Sequence, residues 1–290
     1  MKTSSNIALY VFLIISAVCL SSCRKDVQLE LPEYTQKVVI EGSIETGEPA
    51  LVFLSYSTPY FEDFDFSDPQ QVFIKGARVV LSDGLQTDTL TEPAPSTGYL
   101  YVGTSIRGAE GRSYTLQVTV DGRSYQTSTT IHEPVPLDSL YFKGERDSLG
   151  FVWQRFTEPK GTGQAYRWMA KRIGRDQYYS APFNSVFDDK FIDGTSFEFA
   201  YDRGRQPLDS SNVDFERGYY KRGDTVAVKF CRIGRREYEF WSSYYLNKSS
   251  NGNPFSAPIN IRSMFNDQEH AMGAFIGYAP YFDTLVIGRK

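Results

Sequence analysis

The chain alternates apolar and polar residues most strictly in Tyr114-Thr115-Leu116-Gln117-Val118-Thr119-Val120-Asp121-Gly122-Arg123-Ser124-Tyr125. Alternation with a period of two predicts a strand that is buried on one face. Asp121 and Gly122 interrupt the alternation, and both residue types accept the positive φ of a two-residue hairpin turn. The sequence therefore predicts an antiparallel hairpin at this point. Its core face is expected to carry Tyr114, Leu116, Val118 and Val120.

Short runs of β-branched and aromatic residues recur on both sides of this hairpin, and turn residues separate most of them. Runs of this kind predict strands. They are Val38–Ile44, Ala50–Tyr56, Ala77–Ser82, Ser139–Phe142, Gly150–Trp153, Gln164–Ala170, Thr195–Phe199 and Leu285–Ile287. The spacing predicts a mainly β protein made of two β-sandwich-like domains of immunoglobulin or transthyretin type.

One segment has helical rather than strand periodicity. Tyr238, Trp241 and Tyr245 recur at positions that share one face of a helix, and polar residues fill most of the other positions. The pattern ends before the turn-forming cluster Ser249–Pro254. The sequence predicts a helix near 235–248.

The stretch His132–Leu137 breaks the β pattern with two prolines, Pro134 and Pro136. Proline lacks the N–H that a central strand donates, so this stretch is interpreted as an extended linker. The linker divides the chain into two predicted domains. These are an N-terminal β-sandwich domain over residues 37–133 and a C-terminal β-rich domain over residues 137–290, which carries the helix.

The first 22 residues resemble an export signal. Lys2 supplies a basic start, an apolar run covers Ile7–Leu20, and Leu20-Ser21-Ser22-Cys23 forms a lipobox. The sequence predicts a lipoprotein signal peptide over residues 1–22, lipidation of Cys23 by acyl chains such as palmitate, and a lipidated spacer over residues 23–36. Cleavage at another point and a buried N-terminal helix are the alternatives.

Charge and cysteine content limit the partners and the covalent chemistry. The formal net charge is −4, and removal of residues 1–22 makes it more negative by taking away Lys2. This balance argues against a nucleic-acid partner. Cys19 would leave with the signal and Cys23 would be acylated, so Cys231 would stand alone, without an intrachain disulfide, as a small buried hydrophobe.

The sequence offers no recognisable catalytic residues. It has only two histidines, His132 and His270, and neither has a partner at metal-ligand spacing. A serine or cysteine nucleophile needs an oriented base, which is usually a histidine, so the scarcity of histidines also argues against a mechanism of that class. No cofactor-binding glycine motif is present, and we expect neither a metal nor a cofactor. A pair of carboxylates acting on a glycan stays open as an alternative.

The segment Tyr60–Pro69 interleaves aromatic rings with carboxylates in a predicted loop. Rings and carboxylate oxygens together suit a hydroxylated or cationic ligand. The alternative is a strand end whose phenylalanines pack inward while the acids face water. The candidate ligand-binding residues are Tyr60, Phe61, Asp63, Phe64, Asp65 and Phe66.

Two further features admit a functional and a structural interpretation. Asp188–Gly194 resembles a calcium-binding loop only superficially, because its acids do not alternate as such a loop requires, and Asp193-Gly194 is interpreted as a hairpin turn.

Aromatic residues make up 15% of the chain. They could form a platform for sugars, but sheets also use aromatics to fill a core, which is the favoured interpretation.

Several short segments, taken in order, resemble one known family. They are Cys23 with its spacer, Val38–Gly42, Ser57–Phe61, Gly111–Leu116, Pro136–Tyr141, Phe187–Gly194, Gly223–Val226 and Asn253–Pro258. The sequence is similar over nearly all of its mature length to the Bacteroidetes lipoproteins grouped as domain of unknown function 4249. The family has no established activity, so the resemblance assigns no catalytic residue. It implies an outer-membrane lipoprotein that accompanies a TonB-dependent transporter.

These observations favour one function over two alternatives. The expected protein is non-enzymatic, is anchored by its lipid to either face of the outer membrane, and serves as an accessory or ligand-binding partner of a TonB-dependent transporter. A surface hydrolase that cleaves glycans or peptides with carboxylates is the first alternative. A structural or adhesive surface protein is the second.

Overall fold

The computed structural model describes residues 34–59, 72–93, 100–204, 218–250 and 259–288. These residues form sixteen strands and one helix. The strands are β1 (Val38–Glu45), β2 (Pro49–Tyr56), β3 (Arg78–Ser82), β4 (Thr87–Thr89), β5 (Leu100–Arg107), β6 (Ser113–Val120), β7 (Arg123–Thr130), β8 (Ser139–Arg146), β9 (Leu149–Thr157), β10 (Ala165–Arg172), β11 (Val186–Asp188), β12 (Ser196–Ala200), β13 (Tyr220–Lys221), β14 (Thr225–Ile233), β15 (Ala271–Tyr278) and β16 (Pro280–Val286). The helix, α1, is Arg235–Ser250.

The first sandwich consists of two four-stranded sheets. One sheet has the order β15-β1-β2-β5 and the other has the order β4-β3-β6-β7. Ile40 and Val52 from the first sheet share one core with Leu81 and Leu116 from the second, and all four side chains are fully buried. Alternate residues of each strand point into this core, which is the pattern of a β-sandwich.

The predicted hairpin is present as β6 and β7. The strands pair antiparallel up to Val120 and Arg123, so the turn contains only Asp121 and Gly122. The φ angles of these two residues are 50° and 77°, as a type I′ turn requires. The side chains predicted for the core face are buried, which confirms the register.

The second sandwich has a core dominated by aromatic rings. Its sheets are β11-β10-β14-β16 and a sheet in which β9 pairs with β8, β12 and β13. Phe156 of β9 contacts Tyr166 of β10 and Phe230 of β14 at ring-centroid distances of 4.9 and 5.2 Å. Together with the first sandwich, these sheets confirm the mainly β, sandwich-like fold expected from the sequence.

Strand β15 returns to the first sandwich from the far end of the chain. It pairs parallel with β1 over eight residues, from Val38 opposite Ala271 to Glu45 opposite Tyr278. The region expected to form the domain at 137–290 therefore contributes one strand to the sheet of the domain expected at 37–133. Residues 36–290 accordingly form a single compact unit.

Gly273 permits the close approach of β15 to β1. Its φ is +147°, and a Cβ at this position would lie 1.9 Å from the carbonyl oxygen of Ile40. No side chain fits at such a distance. The parallel pairing of the two strands therefore depends on glycine at this position.

Helix α1 and β15 connect the two sandwiches. The side chain of Phe240 on the helix packs in one apolar cluster with Met169 of β10 and Ile276 of β15. Arg167 of β10 is buried in the same region, stacks 3.4 Å from the ring centroid of Trp241, and donates a hydrogen bond of 2.6 Å to the Tyr278 hydroxyl. One side chain thus contacts the second sandwich, the helix and the returning strand.

The predicted elements of the second half are mostly confirmed, with three differences. The helix begins at Arg235 as expected and ends at Ser250, two residues beyond the predicted end. The last strand is Pro280–Val286 and starts before the predicted Leu285. The prediction of a hairpin at Asp193-Gly194 is wrong. The chain crosses there from β11 in one sheet to β12 in the other.

Asp88 stabilises an irregular part of the first sandwich. The pairing of β2 with β5 shifts register between Pro49 and Leu51. The carboxylate of Asp88, which is 2% exposed, accepts hydrogen bonds from the N–H groups of Thr104, Ser105 and Ile106 and from the Thr104 hydroxyl. Because those N–H groups lie where the ladder is interrupted, the carboxylate satisfies donors that β2 leaves unpaired.

We predict that Asp88→Asn destabilises the protein. Burial by itself would raise the pKa of Asp88, but the hydrogen bonds from Ile106, Ser105 and Thr104 lower it to about 2 from an ordinary 3.8. A lowered pKa contributes stability that is present above the ordinary pKa and is lost as the pH falls toward the lowered value. Urea unfolding at neutral pH should show a loss of about 2 kcal/mol in the variant.

Thr104→Val is the matched control, since it removes one of the four hydrogen bonds and keeps the carboxylate. We expect it to cost about 1 kcal/mol. Equal stability of wild type and Asp88→Asn at neutral pH would contradict this role of the carboxylate.

Candidate functional site

An open cleft of about 680 Å³ lies where the first sandwich meets the helix. Strand β7 and the neighbouring Thr115 form its floor, while the first turns of α1 and the segment 262–268 form its walls. Most of the lining residues are polar, and they include Gln126, Ser128, Arg236, Glu239, Arg262 and Asn266. The cleft volume lies within the range of about 300–1,000 Å³ that is typical of ligand sites.

Strand β7 is the edge strand of its sheet. Gln126 lies opposite Gln117 of β6, yet its N–H and C=O both bond to Asn266 and therefore point away from β6. Backbone groups of an antiparallel strand alternate in direction, so those of Ser128, two residues further on, also point off the edge. One side of the cleft is thus formed by a strand whose N–H and C=O groups at Gln126 and Ser128 point away from its own sheet.

Asn266 occupies the position of a neighbouring strand at one point only. Its N–H donates to the carbonyl oxygen of Gln126 at 3.1 Å, and its side-chain oxygen accepts from the N–H of Gln126 at 2.8 Å. A residue of a paired strand would make the same two bonds with its backbone. No described residue makes such a pair with Ser128, which lines the cleft.

The segment that carries Asn266 is held from several directions. The carbonyl oxygen of Met264 accepts a hydrogen bond from the Thr127 hydroxyl at 2.8 Å, and the Met264 N–H donates to the carbonyl oxygen of Gly273 at 2.9 Å. The N–H of Arg262 donates to the Ser243 hydroxyl on the helix at 2.8 Å. The wall of the cleft is therefore a fixed part of the fold.

Three arginines and two acids set the electrostatics of the cleft and its rim. Glu239 pairs with Arg262 at 3.5 Å and with Arg235 at 3.1 Å, and Arg235 also pairs with Asp188 at 2.9 Å. Arg236 donates to the carbonyl oxygen of Met264. The side chain of Arg262 is 68% exposed. Exposed ion pairs contribute only about 0–1 kcal/mol, so Arg262 can exchange Glu239 for another anion at small cost.

A buried polar network lies behind the cleft, between the two sandwiches. Glu237 is 5% exposed and accepts a hydrogen bond of 2.7 Å from the Thr129 hydroxyl, which in turn accepts from the N–H of Gly277 at 2.9 Å. Burial and the charge of Arg232 lower the pKa of the nearby His132, while Glu237 acts in the opposite direction. The helix, β7 and β15 are therefore fastened together by hydrogen bonds as well as by packing.

The site residues predicted from the sequence lie outside the described residues. This holds for the lipidation site Cys23 and for the candidate ligand-binding residues Tyr60, Phe61, Asp63, Phe64, Asp65 and Phe66. These remain predictions. Tyr56 and Phe73, which flank the segment 60–71, line a small groove of about 180 Å³, and the Tyr56 hydroxyl donates to Asp121 at 2.8 Å.

The second acidic cluster stabilises loops. Asp189 accepts from the N–H of Gln164 at 2.7 Å, Asp193 accepts from the N–H of Gly161 at 2.7 Å, and Glu158 accepts from the N–H of Gly194 at 2.9 Å. No group of three potential ligands suited to a metal ion is found among the described residues. The carboxylates of this cluster thus join two loops at one end of the second sandwich.

The three tryptophans pack against the protein or against its cations. Trp168 is fully buried in the second sandwich. Arg167 stacks on Trp241, and the Lys143 amine lies 3.8 Å from the ring centroid of Trp153. Cys231 is also fully buried, and burial raises the pKa of its thiol to about 12. These placements support packing roles for the tryptophans and for Cys231, whereas Phe53, Tyr178 and Phe191 are exposed.

The sequence analysis did not identify the cleft. The alternation in β7 indicates that Gln126 and Ser128 face solvent, but it does not indicate that β7 is an edge strand. Arg236, Arg262 and Asn266 are more than 100 positions away in the sequence, and their spacing fits no motif. Only the long-range pairing of β15 brings these residues to the hairpin.

The fold is that of a β-rich protein with two sandwiches, and a polar cleft lies where the first sandwich meets the helix. The family described as "Domain of unknown function (DUF4249)" matches residues 24–281, and the chain belongs to this family. A search of curated proteins finds no match. Among solved structures, a segment of two fibronectin type III domains from chicken tenascin is similar at 12% identity and a TM-score of 0.21, covering 67% of this chain and 89% of that one. The described residues include no helix long and apolar enough to span a membrane.

We predict that stability decreases as the pH falls below the ordinary pKa of histidine, because His132 is held neutral. Its pKa is lowered from an ordinary 6.5, so the unfolded chain takes up a proton before the folded one does. Stability from this source is complete above the ordinary pKa and is lost below it. Urea unfolding between about pH 7.5 and about pH 5.5 should show the loss, and His132→Gln should reduce it.

His270→Gln is the control, because it removes the other histidine and keeps His132 with its neighbours Arg232 and Glu237. The control should retain the loss seen in wild type. An unchanged pH dependence in His132→Gln would contradict the assignment to His132.

Proposed function

We propose that this protein is a non-enzymatic lipoprotein of the outer membrane that binds a ligand or partner at the junction cleft and serves a TonB-dependent transporter. The lipobox ending at Cys23 supports the anchor. The family resemblance supports the location and the transporter. The cleft formed by β7, α1 and the segment 262–268 supports the binding role.

The observation that carries the proposal is that the cleft exists only in the assembled fold. Ser128 comes from the hairpin in the first sandwich, Arg236 comes from the helix, and Asn266 comes from the segment before β15. Both sides are connected by hydrogen bonds between Gln126 and Asn266 and between Thr127 and Met264. The cleft has the volume of a ligand site, and its polar groups could orient a polar ligand.

The hydrogen-bond partners of His270 and of three acids favour a binding role over hydrolysis. His270 uses its Nδ1 to pair with Asp267 at 3.0 Å, and no described serine or cysteine side chain bonds to its other ring nitrogen. The buried acids Asp88 and Glu158 accept hydrogen bonds from backbone N–H groups. Glu198 is engaged by Arg155 at 2.6 Å and by the Tyr141 hydroxyl at 2.6 Å.

Affinity purification of the full-length chain from detergent-solubilised membranes of its native host tests the proposal. We expect a TonB-dependent transporter to copurify. Mass spectrometry of the N-terminal peptide should show a diacylglyceryl-modified and acylated Cys23. These chains would hold the protein at the membrane, because each buried methylene adds about 0.8 kcal/mol to membrane attachment.

Cys23→Ala is the control variant. The variant should carry no lipid and should be recovered with membranes less often than wild type. Its thermal unfolding should be unchanged, because Cys23 precedes every strand of the two sandwiches in the sequence. Recovery of the wild-type protein alone would contradict the transporter partnership, and an unmodified Cys23 thiol would contradict the anchor.

A further inference from the structure

The edge of β7 that faces the cleft has a backbone N–H and a C=O, both of Ser128, that pair with no described residue. In the register of the hairpin, Ser128 lies opposite Thr115, and its N–H and C=O point off the edge in the same direction as those of Gln126. The backbone groups of Gln126 are satisfied by Asn266, whereas those of Ser128 bond to no described residue. An extended segment that entered the cleft would find one donor and one acceptor at the spacing of a strand.

Asn266 shows that this edge accepts a neighbour in the plane of the sheet. Its two bonds to Gln126 reproduce the pair that a strand residue would form. The cleft continues from Asn266 along Ser128 to the first turns of the helix. A bound segment would therefore extend an interaction that the protein already makes with itself.

The side chains around this edge indicate the chemistry of the segment. Arg236 and Arg262 both line the cleft, and Glu239 is the only acid among its lining residues, so the lining carries one excess positive charge. Glu239 already has Arg262 at 3.5 Å and Arg235 at 3.1 Å. Guanidinium groups bind carboxylates with paired hydrogen bonds. The only aromatic ring in the lining, Phe265, is 2% exposed, so no ring is available on which a sugar could stack.

We propose that the cleft binds an extended peptide segment with acidic side chains, which adds as a strand to the edge of β7 at Ser128 and pairs with Arg262 and Arg236. This inference deepens the proposed binding role and rests on it. The partner is identified by its chemistry alone, as an unstructured acidic stretch of another protein.

Ser128→Pro tests the backbone part of the inference. Proline removes the N–H that faces the cleft, and no ladder bond to β6 is lost, because Ser128 belongs to a pair that does not exchange hydrogen bonds. Ser124→Pro is the matched control. Ser124 has the same orientation in β7, opposite Thr119, but does not line the cleft.

The probe is a fluorescein-labelled hexapeptide of alternating glutamate and valine, titrated into the mature chain and followed by fluorescence anisotropy. We expect saturable binding that Ser128→Pro weakens about tenfold or more and that Ser124→Pro leaves within about twofold. Arg262→Gln should weaken binding about fivefold or more, since its exposed side chain can be replaced without disturbing the fold. A version of the peptide with glutamine in place of glutamate should bind more weakly, and one with proline at every second position should not bind.

Several results would overturn the inference. They are no binding of the acidic peptide up to millimolar concentration, equal effects of Ser128→Pro and Ser124→Pro, and binding of a neutral oligosaccharide in its place. A dimer of the free chain that Ser128→Pro abolishes would assign the edge to a second copy and would also overturn it. Copurification of a transporter without peptide binding would refute this inference alone, whereas peptide binding without a transporter would refute only the proposed partnership.

Discussion

The parallel pairing of β15 with β1 is the constraint on which the rest of the structure depends. It joins residues more than 220 positions apart in the sequence over a continuous register of eight pairs. It completes the first sheet, brings the segment 262–268 to β7, and places Tyr278 within hydrogen-bonding distance of Arg167. Gly273 permits it, because a side chain there would collide with the carbonyl oxygen of Ile40. The cleft is a consequence of this return, since neither the hairpin nor the helix would form it alone.

The junction combines apolar packing with polar contacts that fix its geometry. Phe240 and Ile276 supply burial, which stabilises an interface without defining its orientation. The bonds from Thr129 to Glu237 and from Arg167 to Tyr278 are directional and buried, and a partly exposed ion pair of Lys229 with Glu45 adds to them. Each contact joins the first sandwich, which includes β15, to the helix or to the second sandwich. Breaking one partner of such a buried contact is costly, so the two sandwiches are held in one arrangement. The residues that line the cleft beside this junction are thereby held in fixed positions.

The sequence predicted what depends on local patterns. The period-two alternation and the Asp121-Gly122 turn predicted the hairpin in its correct register, and the spacing of Tyr238, Trp241 and Tyr245 predicted the helix. The sequence could not predict the pairing of Ala271 with Val38, because strand partners at this separation leave no trace in one sequence. The same limit applies to the cleft, whose residues meet only after that pairing. The aromatic and acidic loop at 60–66 and the lipidation of Cys23 remain predictions.

The most direct test of the central claim compares two probes of unfolding in Gly273→Ala. All three tryptophans, at 153, 168 and 241, lie in the second half of the chain, whereas far-ultraviolet circular dichroism reports both sandwiches. If the return of β15 makes residues 36–290 one cooperative unit, the substitution will lower the denaturation midpoints of tryptophan fluorescence and circular dichroism equally, and Gly288→Ala will leave both unchanged. A fluorescence transition that stays at the wild-type midpoint while the dichroism becomes biphasic would contradict the account.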